Sequence, residues 1–303
     1  MEPKAFLENY RKQFEDCKNE FLDHFKGDLR LEQKFVDRIE RLIDYNCHGG
    51  KNNRARSLVR MVKSISENQK KPFNAKLKQK TYVLACCIEI LQSSLLVADD
   101  IADNSSLRRG KPCWYKCEDI KMDAVNDSYI LESLVYFILK KHFSEEPIYV
   151  RLVDLHRDVI LKTQIGQMID LSFKGYPKNV KELCQRFSYK NFESIITFKT
   201  AYYTYFIPIM DALLLCGMHS KEQENAALKI AIELGKKFQI QDDFIDCYGD
   251  PSELGKIGKD IEENKCTWLV VKALEKATEA QKKIILVYRS QIKNRSFFAD
   301  NFL

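Results

Sequence analysis

Glycine and proline are scarce in this chain, 11 and 7 of 303 residues, too few to punctuate the many short strands of a sandwich or barrel. Uninterrupted apolar runs are short as well, and none reaches the roughly 18 residues of a membrane span. Lys, Arg, Asp and Glu are mixed along the chain without blocks of one sign. The net charge of +6 is modest, so no broad basic surface for nucleic acid is expected. The ten cysteines follow no framework spacing, and Cys113 and Cys117 lack a nearby His or a second Cys pair. That pattern indicates reduced thiols and no disulfide scaffold, and it speaks against a zinc site at Cys113 and Cys117. The opening residues Met1 to Phe6 hold neither an apolar signal core nor an Arg-rich, acid-poor presequence, which makes a cytoplasmic setting the expectation. Neither a Ser-His-Asp set nor a glycine-rich nucleotide loop is recognisable.

What the chain does contain is apolar residues at helical intervals. Phe6, Tyr10, Phe14, Phe21 and Phe25 form one such stripe. The spacing predicts helices over 5–26, 31–45, 74–103, 123–143, 147–176, 181–217 and 225–246, a further helix opening at 264–268, and another after it. The fold class is all-α, a single domain over 1–303, and an apolar share of 45% suffices for a substantial core. Pro208 is expected to kink the helix it interrupts.

Two of these helices close on acid. Leu91 to Ala98 leads into Asp99, Asp100 and Asp103, and Phe238 to Gln241 leads into Asp242, Asp243 and Asp246. In each set the first and last carboxylates are four residues apart, on one helical face. Two such charges a few ångströms apart repel by roughly 4 kcal/mol at an effective dielectric near 20. A hard divalent cation relieves that repulsion, and the arginines at Arg108 and Arg109 suggest phosphate as its companion. A solvated acidic surface is the plainer reading of one set; the repeat argues against it.

Other polar interruptions fit an anion. The paired glycines of His48-Gly49-Gly50-Lys51-Asn52-Asn53-Arg54 free a turn that can aim amides and two cations at one. Gln167 and Asp170 break a buried face and need partners, and Lys199 and Thr200 sit within an aromatic run. The glycine-punctuated stretch from Cys247 to Asp260, with Lys256 and Lys259, suits a movable lid. Metal-clamped diphosphate is a good leaving group, and no general base stands near the acids. The chemistry inferred is ionisation of a diphosphate ester in an apolar pocket.

From about Asn46 through Trp268, and above all in the two Asp-rich motifs, the chain resembles the farnesyl diphosphate synthases of the trans-prenyltransferase family. The resemblance implies an isoprenoid-synthase bundle of about ten helices around a central cavity, acting as a homodimer. It implies two to three Mg2+ ions held by Asp99, Asp100, Asp103, Asp242, Asp243 and Asp246, with the allylic diphosphate on Arg108, Lys199, Lys256 and Lys265. Gly50, Lys51, Arg54, Gln92 and Arg109 match the isopentenyl diphosphate site, and Thr200, Tyr203, Phe238 and Gln239 match the lining of the reaction centre. The reaction implied is ionisation of the allylic substrate, attack by the isopentenyl double bond, and proton loss to the released diphosphate.

Two departures stand out. Ser94 and Leu95 replace the bulky aromatics usual at the pocket floor one turn before the first Asp. One turn is about 5.4 Å, on the scale of an isoprene unit, so C15 is favoured while C20 and C10 products stay open. The sequence after Ile284-Ile285-Leu286 ends in Phe297-Phe298-Ala299-Asp300 without the family's last helices and basic tail. A terpene synthase on the same scaffold and a non-catalytic partner subunit remain alternatives; the retained isopentenyl-site residues argue against the first.

Overall fold

The computed structural model of the chain describes residues 3–173, 175–250 and 258–291. Its helices are α1 (Pro3–Gly27), α2 (Gln33–Cys47), α3 (Asn53–Asn68), α4 (Ala75–Ala102), α5 (Ala124–Phe143), α6 (Tyr149–Ser172), α7 (Val180–Arg186), α8 (Tyr189–Ile195), α9 (Ile207–Leu215), α10 (Lys221–Tyr248), α11 (Trp268–Lys276) and α12 (Glu279–Gln291). One two-stranded hairpin, β1 (Leu107–Arg108) against β2 (Lys111–Pro112), is the sheet among the described residues. The architecture is all-α, as the scarcity of glycine and proline predicts.

Packing divides the chain into two compact units, 1–158 with 206–227 and 159–205 with 228–303. The first is built on α4. Its N-terminus is capped by Asn74, whose side chain accepts from the amide of Leu77 at 2.9 Å. From Thr81 to Leu91 every residue of α4 is buried. The helix packs against α1, α2, α3, α5 and α9, which explains why it is apolar on all sides. By length and composition α4 is apolar enough to cross a membrane, with a mean hydropathy of 1.7 over its best stretch, a property the count of uninterrupted runs overlooked. That stretch is 78% buried within the protein, as in the core helix of a globular unit. The aromatic stripe of α1 lies on it, with Phe6 stacked on Tyr10 and Tyr82 at ring distances of 5.8 and 6.1 Å.

The core of the second unit gathers Leu183, Phe187, Phe192, Ile195, Val270, Val271, Leu274 and Ile285 from α7, α8, α11 and α12. Here the structure corrects the sequence reading of one kinked helix over 181–217. The chain breaks between Arg186 and Tyr189, and Ser188 caps α8. It then widens into an 11-residue π-helix, Ile196–Phe206. Pro208 lies in the first turn of α9, directly after the π-helix, whose wide turns end at Phe206.

The π-helix owes its position to Gly166 on α6. A Cβ there would lie 2.1 Å from the backbone nitrogen of Lys199 and 2.5 Å from the carbonyl carbon of Phe198, so only glycine lets the two backbones approach this closely. A π segment adds a residue to each turn, a geometry found mostly where side chains must be re-aimed for function.

Candidate functional site

In the first unit the acids close α4. Gln92, Leu95, Leu96 and Asp99 are half-buried and share one face, whereas Ser94 and Asp100 are buried. Asp103 stands just past the helix end. Asp100 is turned into the protein, accepting from Arg108 Nε at 3.0 Å and from its Nη2 at 2.5 Å. The same guanidinium lies 3.6 Å from Asp99. Burial raises the Asp100 carboxyl, Arg108 opposes that rise, and the pairing keeps the arginine firmly charged. Ser94 donates its hydroxyl to the carbonyl of Leu91 at 3.0 Å, so this small buried side chain is satisfied by its own helix.

Arg108 is aimed by the hairpin. Its two turn residues, Arg109 and Gly110, have φ of 55° and 76°, the paired positive values of a type I′ turn. That turn sends the Arg109 side chain to the carbonyls of Asn46 and His48, at 2.9 and 2.8 Å. Gly50 lies against the Arg109 guanidinium, Lys51 is exposed, and Arg54 is half-buried in the first turn of α3. The sequence reading missed what lies beneath them. Glu89, buried in α4, accepts from the Ala55 amide at 3.0 Å and faces the charges of Arg54 and Arg109. Burial raises its pKa, while the helix N-terminus and the two arginines hold it down. The available signal was a Glu inside an otherwise apolar run.

The second unit gathers the other predicted residues around the π-helix. Lys199 donates to Asp170 at 2.6 Å, which supplies the partner that the buried Asp170 requires. Thr200 donates to Gln239 Oε1 at 3.0 Å, and Gln239 donates from Nε2 to Asp243 at 2.8 Å. The other oxygen of Asp243 accepts from the amide of Trp268 at 2.7 Å, at the N-terminus of α11. Asp246 accepts from the amide of Asp260 at 3.0 Å. Tyr203 is half-buried, and Phe238 is exposed with its ring edge-on to Tyr205 at 6.2 Å. Lys265 pairs with Glu263 at 3.4 Å and Asp260 at 3.6 Å. Lys256 lies outside the described residues, as do 251–257 of the lid stretch.

The donor chemistry fits a hard divalent ion. Burial, aided by Asp242 and Asp246, pushes the Asp243 carboxyl up to about 7, and a divalent cation would favour its ionised form. Neither Asp set is among the groups whose three ligand atoms converge within 4.8 Å. Mg2+ is commonly held in that way, by one or two carboxylates together with substrate phosphates and water.

The family model for polyprenyl synthetases matches residues 36–297, a span that includes both Asp sets and the turn at Gly50. The chain belongs to the polyprenyl synthetase family. Within it, farnesyl pyrophosphate synthase 2 of Arabidopsis thaliana is 43% identical over 285 residues, covering 89% of this chain and 80% of that one. Farnesyl pyrophosphate synthase of Gallus gallus is 41% identical over 250 residues, covering 82% and 67%. Among solved structures, farnesyl diphosphate synthase of T. brucei in complex with the bisphosphonate BPH-722 aligns with a TM-score of 0.87 at 28% identity, covering 97% of this chain and 84% of that one. The chain is thus a family member whose middle acid in each set, Asp100 or Asp243, is engaged by protein donors.

Proposed function

We propose that this polyprenyl synthetase is a Mg2+-dependent trans-prenyltransferase that condenses dimethylallyl or geranyl diphosphate with isopentenyl diphosphate to give farnesyl diphosphate. The observation that carries this reading is the pairing, within the first unit, of an acidic set with a separate cationic cluster. Asp99, Asp103 and Arg108 suit a metal-bound diphosphate. Gly50, Lys51, Arg54 and Arg109, above Glu89, suit a second diphosphate with no metal. A one-substrate cyclase has no use for the second cluster. The names of the relatives point the same way.

Mg2+, held by Asp99, Asp100 and Asp103 of the first unit and by Asp242, Asp243 and Asp246 of the second, each set taken by itself, would supply charge neutralisation to a departing diphosphate. The chain's own residues do the rest. Arg108 in the first unit, and Lys199 and Lys265 with Lys256 in the second, are each cations suited to neutralising diphosphate oxygens as an allylic C–O bond breaks. Thr200, Gln239 and Tyr203 present oxygen lone pairs to the carbocation, and the bond of Thr200 to Gln239 fixes their direction. The isopentenyl double bond forms the new C–C bond, and the proton it then sheds passes to the released diphosphate. Leu95 and the buried Ser94 lie about one turn before Asp99 and set chain length. Ten free cysteines support a reducing, cytoplasmic setting. The exposed Val150, Leu161, Ile165 and Met168 on α6 support a homodimer.

Incubation of the purified chain and Mg2+ with geranyl diphosphate, with and without isopentenyl diphosphate, tests the reading. A C15 diphosphate formed only when both substrates are present is the expected result. A volatile terpene in the absence of isopentenyl diphosphate, or no turnover of either mixture, would overturn it.

A further inference from the structure

Away from every residue discussed so far, α1 and α5 bring three different donor atoms together. Cys17 and Glu20 lie three apart on α1, on one face, and His142 lies in the last turn of α5. The Cys17 sulfur, a Glu20 carboxylate oxygen and a ring nitrogen of His142 all lie within 4.8 Å of one another. The three sites differ in exposure in a useful way. Cys17 is buried at 1%, while the side chains of Glu20 and His142 are 26% and 16% exposed, so an ion can reach the group from solvent.

We propose that Cys17, Glu20 and His142 form a binding site for a borderline-soft divalent cation of the Zn2+ class, tying the middle of α1 to the end of α5. The donor set is the first argument. One thiolate, one imidazole and one carboxylate suit Zn2+ and are a poor match for Mg2+. The charge is the second: two anionic ligands neutralise a divalent ion, which a half-buried position favours. Distance is the third. Tetrahedral Zn2+ with bonds of about 2.0–2.3 Å separates its ligand atoms by roughly 3.5 Å, so no pair in the group needs to close by much more than 1 Å, and the Glu20–His142 pair opens slightly from 2.8 Å. The fourth coordination position is left to water.

The surrounding contacts are those a metal thiolate needs. Gln13 donates from Nε2 to the Cys17 sulfur at 3.8 Å, and the Cys86 thiol is hydrogen-bonded with it from α4. His142 Nε2 lies 2.8 Å from Glu20. The competing cation is Lys141, at 3.8 Å from Glu20 and 45% exposed, free to swing into water. A neighbouring group, Glu15, Asp44 and His48, meets the same distance test but is occupied by Lys18, whose ammonium lies 2.8 and 2.9 Å from the two carboxylates.

The test uses the full chain, stripped with a chelator and titrated with Co2+ in excess Mg2+ to keep the Asp sets filled. The expected result is a near-ultraviolet thiolate-to-cobalt charge-transfer band that saturates at one equivalent and is displaced by Zn2+. Cys17→Ser abolishes that band. Glu20→Gln, at a partly exposed position that folding tolerates, weakens Co2+ binding at least tenfold, and Zn2+ raises the thermal midpoint of the parent chain but not of Cys17→Ser. A missing band, or one that survives Cys17→Ser, overturns the proposal.

Discussion

Asp243 shows how much one residue can reveal about a site. Its pKa is raised in the fold from an unfolded value near 3.8 to about 7, so between those values the folded chain holds a proton that the unfolded chain has lost. The associated stability is complete below pH 3.8 and is lost as pH rises through 7. At about 1.4 kcal/mol per pKa unit the loss is on the order of a few kcal/mol. Without Mg2+, urea midpoints are expected to fall between pH 4.5 and 7.5, and Asp243→Asn is expected to flatten that slope; an unchanged slope in the variant refutes the assignment. Arg289 makes the opposite case. It is 5% exposed over the ring of Phe187, and donates from Nη2 to the Lys265 carbonyl at 3.1 Å. Its Nε and Nη1 find no partner among the described residues, and burial pulls its pKa down to about 10. Each unsatisfied buried donor costs about 1–3 kcal/mol, more than the single bond returns. Arg289→Met is therefore expected to raise the thermal midpoint by several degrees, measured by calorimetry.

At the scale of elements, the close approach at Gly166 gives the sharpest prediction. Gly166→Ala forces backbone against backbone and is expected to cost at least about 3 kcal/mol, with a matching loss of turnover because Lys199 moves. Gly27→Ala, with nothing within 4 Å, is expected to be neutral or slightly stabilising in the same denaturation assay. The difference between legible and illegible elements is physical. Helices α4 and α10 announced themselves because apolar spacing and carboxylate spacing are local properties. The π-helix did not, since its cause lies in α6, some 30 residues upstream. The break before α8 was hidden for a similar reason: Phe187 is a buried core side chain at a helix end, which in sequence looks like a continuing apolar stripe. The hairpin rests on Arg109 at positive φ, which is not a residue that composition would place there.

For the whole molecule, the apolar residues exposed along α6 make association the expectation. Size-exclusion chromatography with light scattering should give twice the chain mass of 35.5 kDa, and the thermal midpoint should rise with protein concentration. A constant midpoint and a single-chain mass would leave α6 unexplained by self-association. The all-α class and the family were open to a reading of the sequence, because two Asp motifs of fixed spacing are specific and helices follow from periodicity. Glu89 and the Cys17 group were not, since each depends on neighbours dozens of residues away that only the fold supplies.

The wide turn at 196–206 carries a lesson for insertion and deletion. Excising one residue there would let the backbone relax into ordinary α geometry, locally a gain. It would also rotate α9 by about 100° about its axis, swinging Ile207, Met210 and Leu214 out of the core they fill. Length over this stretch is thus guarded more strictly than residue identity, and a library that varies side chains there should retain folded members where one that varies chain length should not.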